Sequence, residues 1–181
     1  MKFQALALAL FASTGLAAPV AEDSKPAVYS LRLSSRVKSL DGAYLTANGT
    51  LLGVSSSPSA KPALFTPVVD GKTGLAELRT YPQGDGALAL VGRNGLLELA
   101  SLEDPASVNV PDGMTIDWTS FKLEEEAGAA APLEYVKGEG AWVAFPRGNN
   151  KGEWSVKWKD AAALTIATYM PVKVVYEPAR A

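Results

Sequence analysis

The chain has 181 residues and contains neither cysteine nor histidine. Without cysteine it has no disulfide, no thiol nucleophile and no thiolate ligand for a metal. Without histidine it cannot form a Ser-His-Asp or Cys-His catalytic arrangement, nor a histidine-ligated zinc site. The sequence also lacks a glycine-rich phosphate loop that leads into a helix. We therefore predict a non-catalytic protein with no metal site and no cofactor.

Charge is sparse and nearly balanced, with 17 Lys and Arg against 19 Asp and Glu and a formal net charge of −2. Nucleic-acid-binding proteins usually carry a dense basic patch, so a nucleic-acid partner is not predicted. The acidic run Glu124-Glu125-Glu126 lacks the alternating oxygen ligands of a calcium loop, and we interpret it as part of a solvated loop.

Long apolar runs are also scarce, and the clearest one lies at the N-terminus. Residues 3–16 are apolar, follow the basic start Met1-Lys2 and end in the small residues around Gly15 and Ala17. The run is short for a membrane span and has the pattern of a signal peptide, which we place at residues 1–17. We expect residues 18–27 to form a disordered leader. The predicted protein is secreted and does not remain in the membrane after the signal is removed.

One pattern recurs three times in the remaining sequence. It consists of an acid, Gly, Ala, an apolar run, a turn rich in Asn or Gly, and a second apolar run. The copies begin at Asp41, Asp85 and Glu139 and span residues 41–52, 85–99 and 139–154. Asn-Gly between apolar runs is a strong signal for a β-hairpin. Each copy therefore predicts a hairpin, and the acid before Gly is explained by its turn.

A returning strand is predicted after each hairpin, at residues 63–69, 118–123 and 164–169, and 172–176 closes the chain. Residues 63–68 and 167–172 share the pattern Ala, any residue, aromatic, any residue, Pro, Val. Three similar units favour a closed sheet, because closure removes exposed strand edges. We predict a single all-β domain at residues 28–178, a β-trefoil-like barrel of three hairpin-containing repeats. The alternative is an irregular β-sandwich.

The first third of the chain resembles a family of small secreted fungal cell-wall and surface proteins, the phialide-type proteins and their IgE-binding relatives. The resemblance rests on the start Met1-Lys2-Phe3 with its Ala-Ala-Pro exit, on residues 29–35, and on Gly42 to Gly49 followed by Leu52-Gly53. Many of those relatives carry cysteines, which this chain lacks. The resemblance implies an extracellular or cell-wall location and no established enzymatic chemistry.

Tryptophan provides the candidate glycan-binding residues. Trp154 and Trp158 have the same parity on one predicted strand, and Trp142 lies on the facing strand of that hairpin. An exposed tryptophan face would stack on sugar rings, whereas a buried one would pack in the core. Both interpretations stay open at this point. Asn48-Gly49-Thr50 is a sequon, which makes Asn48 a candidate glycosylation site.

Three functions remain. The first is a secreted cell-wall or surface protein that contacts wall polysaccharide. The second is a secreted effector or protease-inhibitor-like module that binds an extracellular protein through a loop, with residues 55–62 or 147–151 as candidates. The third is a hydrolase that uses two carboxylates, which requires no histidine. The Gln-x-Trp repeat of many trefoil lectins is missing from this chain, which counts against the sugar-binding mode of those lectins.

Overall fold

The computed structural model describes residues 27–124, 130–148 and 152–179. The predicted signal peptide and all but one residue of the predicted leader lie outside these ranges, as do residues 125–129 of the acidic insert. Within the described residues the chain forms strands and no helix, which confirms the all-β prediction.

Fourteen strands are present in the described part of the chain. They are β1 (Tyr29–Ser34), β2 (Thr46–Asn48), β3 (Leu51–Val54), β4 (Leu64–Val69), β5 (Ala76–Thr80), β6 (Ala87–Arg93), β7 (Leu96–Leu102), β8 (Met114–Asp117), β9 (Phe121–Leu123), β10 (Ala131–Tyr135), β11 (Gly140–Pro146), β12 (Trp154–Asp160), β13 (Met170–Pro171) and β14 (Lys173–Pro178).

Six of these strands close into a barrel in the order β5-β4-β1-β14-β10-β9. The pairing of Ala76 with Phe121 joins β9 back to β5 and completes the ring. Neighbouring strands are antiparallel, so β1, β5 and β10 run in the same direction. A closed barrel has no free sheet edge, which agrees with the barrel prediction rather than with the sandwich.

The three predicted hairpins are present as β2–β3, β6–β7 and β11–β12. They follow β1, β5 and β10, so all three leave the barrel at one end, which we call the hairpin end. The hairpins also pair with one another, through β3 with β7, β7 with β12 and β12 with β3. The β4–β5 turn and both ends of the described chain lie at the opposite end, which we call the terminal end.

Turn chemistry explains two of the hairpins in detail. Asn94 and Gly95 both have positive φ, 55° and 72°, as a type I′ turn requires. In the first hairpin Asn48 pairs with Leu51, so the loop residues are Gly49 and Thr50. Gly49 has φ of 62° and occupies the first loop position, where a type II′ turn prefers glycine. Asn48 therefore belongs to a strand and not to the turn.

The core lies inside the barrel and beneath the hairpins. Leu31 and Leu33 are fully buried on β1, as the alternating pattern of this strand predicts. Phe65 and Phe121 are the largest fully buried side chains, and Tyr176 packs edge-on against Tyr29. Most folding free energy of a chain without disulfides comes from such burial.

Several predicted strands are wrong. Residues 164–169 form no strand, because nothing pairs with them and both Leu164 and Ile166 face solvent. The strand predicted at residues 118–123 begins only at Phe121. The echo between residues 63–68 and 167–172 does not mark equivalent strands. The first segment is mostly β4 of the barrel, whereas the second includes β13, which pairs with β11 outside the barrel.

Candidate functional site

A groove of about 630 Å³ opens at the hairpin end, between two segments that are far apart in sequence. Residues 34–37, at the end of β1 and the loop after it, form one side, and residues 170–173, at β13 and the start of β14, form the other. This volume lies within the range of about 300–1,000 Å³ that is common for ligand sites. The groove, defined by these eight residues, is our candidate binding site.

The backbone on the 170–173 side of the groove is held by the sheet. Met170 and Pro171 pair with Ala144 and Val143 of the third hairpin. The Val172 N–H donates to the Trp142 carbonyl oxygen at 3.1 Å. The groove has an apolar lining, which is formed by the side chains of Val37, Met170, Pro171 and Val172. Such a surface is preformed, so a ligand would bind without first ordering a loop.

Polar groups stand beside this apolar lining. Ser34 lies directly opposite Lys173 in the β1–β14 ladder, so their side chains share one face of the sheet. Ser35 and Arg36 continue this side of the groove. Hydroxyl and cationic donors next to an apolar surface are the kind of mixture that orients a polar ligand.

Among the described residues, no carboxylate lies within ion-pair distance of the positive charges at the groove. Arg36, Lys38 and Lys173 are exposed, and no ion pair or side-chain hydrogen bond joins any of them to another described residue. Arg32 differs, because its Nε lies 2.7 Å from Glu177 Oε2. A carboxylate near the groove, that of Asp41, accepts the Ser35 backbone N–H at 3.0 Å. The groove thus offers two unpaired cations, with a third two residues away.

Two of the three candidate tryptophans are buried. Trp142 and Trp158 are directly opposite in the β11–β12 ladder, with ring centroids 5.6 Å apart and planes at 82°. They are 6% and 8% exposed, and the Trp142 indole donates to the Leu133 carbonyl oxygen at 2.9 Å. These two rings belong to the core cluster, as the core-packing alternative expects. Trp154 is half-buried and packs at the margin of the same cluster.

The other predicted residues lie at the surface. Asn48 is exposed at the end of β2, so its side chain is accessible. Asp41, Asp85 and Glu139 are exposed beside their turns. Residues 55–62 form an exposed loop, whereas of residues 147–151 only Arg147 and Gly148 are described.

Asp117 is a buried carboxylate that the sequence analysis did not single out. Its oxygens accept hydrogen bonds from the Thr119 N–H and the Tyr135 hydroxyl, both at 3.1 Å, and Lys137 Nζ lies 2.6 Å away. Burial alone would raise the pKa of Asp117, but the bonds from Lys137, Thr119 and Ser120 and the Lys137 charge lower it below its usual range. Burial and the Asp117 charge raise the pKa of Tyr135. The geometry keeps this acid ionised, which suits a structural role.

Neither a family model, nor a curated protein, nor a solved structure is significantly similar to this chain. The resemblance to fungal surface proteins therefore stays a prediction from the sequence. In the described ranges, no group of three or more Asp and Glu side chains is placed to hold a metal ion. No helix among those residues is long and apolar enough to cross a membrane.

Proposed function

We propose that this chain is a secreted, non-catalytic protein of a fungal cell wall or surface, that it has a β-trefoil fold, and that it contacts glycans through the groove. The trefoil proposal is supported by the six-stranded barrel and by the three hairpins that pair with one another at one end. The location is supported by the signal-like N-terminus and the resemblance of the first third of the sequence.

The groove is the observation that carries the glycan proposal. Sugars present an apolar ring face together with hydroxyl groups, so they need an apolar surface flanked by donors and acceptors. Met170, Pro171 and Val172 supply the first, and Ser34 and Ser35 supply the second. The candidate site moves from the tryptophan face to this groove, because two of the three indoles are buried.

The test is retention of the purified chain on insoluble glucan, chitin and mannan. Wild type is compared with the groove variant Met170→Ala/Pro171→Ala and with the control Val68→Ala/Val69→Ala, which changes exposed apolar residues at the terminal end. We expect retention on at least one polymer, reduced in the groove variant and kept in the control. A separate Trp154→Ala variant tests whether Trp154, the half-buried member of the three candidate tryptophans, contributes to retention. A wild type that is retained on none of the three polymers and binds no soluble acidic oligosaccharide would contradict the proposal.

A second candidate function is supported by a different observation. Leu164 and Ile166 are fully exposed on the segment 161–169, which contains no charged residue. The segment is anchored at its start, where the Ala163 N–H donates to Asp160 O and the Ala162 N–H to Asp160 Oδ1, at 3.0 and 2.9 Å. Exposed apolar side chains on an anchored segment favour a protein partner. We therefore propose, as the alternative, a protease-inhibitor-like module that binds through this segment.

The alternative is tested by measuring inhibition of a panel of secreted serine and aspartic proteases. Leu164→Ser/Ile166→Ser is compared with Val108→Ser/Val110→Ser, which alters two other exposed apolar residues. An inhibitor that acts through the 161–169 segment would weaken at least about tenfold in the first variant only. No inhibition by wild type would contradict this alternative.

A further inference from the structure

We infer that the ligand of the groove is an acidic glycan, a chain of sugars that carries carboxylate or phosphate groups. This inference rests on the proposed glycan-binding function and specifies the chemistry of its ligand. The distribution of charged side chains supports it, in addition to the shape of the groove.

The protein as a whole is slightly acidic, with a formal net charge of −2. Arg32 on β1 is already neutralised by Glu177, and Lys157 and Lys137 are paired with Glu98 and Asp117. Arg36 and Lys173 have no carboxylate within ion-pair distance among the described residues. Other exposed cations, Lys72 and Arg93 among them, share this property, but Arg36 and Lys173 line one groove from its two sides. An anion bound between them would pair with both charges.

The two cations also differ in what they offer. The guanidinium of Arg36 presents a planar pair of donors that matches a carboxylate or a phosphate. The ammonium of Lys173 is a compact charge, and Ser34 lies across the ladder from it with a hydroxyl on the same face. The apolar side chains of Val37 on one side and of Met170 and Pro171 on the other would contact the ring face of the sugar that bears the charge.

Asp41 limits where the anion can lie. Its carboxylate accepts the Ser35 N–H at 3.0 Å and so places a negative charge beside the 34–37 side of the groove. An anionic group of the ligand would therefore lie close to the Arg36 and Lys173 side chains and away from Asp41.

The experiment measures direct binding to four soluble probes in solution: an oligogalacturonate, a phosphorylated manno-oligosaccharide, a neutral manno-oligosaccharide and inorganic phosphate. The test variant is Arg36→Gln/Lys173→Gln. The control is Arg93→Gln/Lys72→Gln, which removes the same two charges at exposed positions outside the groove. Circular dichroism and thermal melting establish that each variant is folded.

We expect wild type to bind one of the acidic oligosaccharides at least about tenfold more tightly than the neutral one, with phosphate alone binding weakly. The test variant should lose about tenfold in affinity, while the control should change less than about twofold. Comparing the two acidic probes identifies carboxylate or phosphate as the recognised group. The affinity of wild type should also fall as sodium chloride is raised from about 50 to about 500 mM, because the Debye length shortens about threefold.

Equal binding of the acidic and neutral probes would overturn this inference and leave the glycan function intact. Equal loss in the test and control variants would also overturn it, since the attraction would then belong to the whole surface. Binding of none of the oligosaccharides would overturn the inference, and with no retention on the insoluble polymers it would also contradict the proposed function.

Discussion

Asp117 is ionised although it is buried, because Lys137, Thr119 and Tyr135 all donate to its carboxylate. Thr119 lies in the loop between β8 and β9, Tyr135 is the last residue of β10, and Lys137 follows it. The carboxylate therefore ties the loop after β8 to the end of β10. Its loss would leave donors at the hairpin end without an acceptor.

We predict that Asp117→Asn lowers the free energy of unfolding at neutral pH by about 1–3 kcal/mol. Since the pKa of Asp117 is lower in the folded state, its contribution is present above the usual pKa of about 4 and is lost as pH falls through the folded value. The melting temperature of wild type should therefore fall more steeply below pH 4 than that of the variant. Thermal melts from pH 7 to pH 2 check this, with exposed Glu103→Gln as the control. Parallel curves for wild type and Asp117→Asn would contradict the prediction.

Trp142 and Trp158 form a matched pair for a second prediction. Both are buried in one edge-to-face contact, but only the Trp142 indole N–H has an acceptor, the Leu133 carbonyl, while Trp158 Nε1 is buried with no partner among the described residues. Replacement by Phe removes similar volume at both sites. Trp142→Phe also orphans a carbonyl, so it should cost about 1–2 kcal/mol more than Trp158→Phe. Urea unfolding followed by circular dichroism measures both, and a larger loss for Trp158→Phe would contradict the assignment.

Among the elements, the hairpins were the most predictable. Asn94-Gly95 determines a two-residue turn through local backbone preference alone, so the second hairpin follows from a short window of sequence. The segment 164–169 was also predicted as a strand but forms none. A strand needs a neighbouring strand to pair with, and the local sequence pattern does not reveal whether one is present. The short strand β13 was hidden for the same reason. Local sequence preferences therefore predicted the turns, whereas pairing in the folded structure determined which apolar segments became strands.

Gly95 allows a prediction at the scale of its hairpin. Its φ is 72°, and a Cβ there would lie 2.8 Å from the Asp160 Cβ and 3.2 Å from the Ala163 Cβ. Gly113 has a similar φ of 76° but open space around it. Gly113→Ala should cost about 1–2 kcal/mol from backbone strain alone, and Gly95→Ala should cost about 1–3 kcal/mol more from crowding. Chemical denaturation compares the two, and equal losses would show that crowding is relieved by movement of the third hairpin.

For the whole molecule, closure of the barrel should make unfolding cooperative. The closing strands β5 and β9 meet at Ala76 and Phe121, and Phe121 is fully buried. Phe121→Ala should lower the free energy of unfolding by about 3–5 kcal/mol and still give one transition. Tryptophan fluorescence, far-UV circular dichroism and calorimetry should report the same midpoint. Separate midpoints would contradict the predicted single domain at residues 28–178.

The groove illustrates what sequence alone could not provide. Its two sides, residues 34–37 and 170–173, come together because β1 and β14 are neighbours in the barrel. Arg36 and Lys38 are close in the sequence, but nothing in the sequence places Lys173 beside them. For the tryptophans, the predicted hairpin correctly placed Trp142 on the strand that faces Trp158, but the sequence did not reveal that both side chains are buried.

The β1–β14 ladder has a mechanical consequence. Tyr29 pairs with Pro178, and the Ala179 N–H donates to the Val28 carbonyl at 2.8 Å, so the described chain enters and leaves the barrel side by side. Tension applied between residues 28 and 179 would load these bonds one after another, as in a zipper, and would not shear the whole ladder at once. The barrel would peel open at low force when pulled by both ends, whereas a molecule tethered by one end only would keep its groove at the far side from the tether.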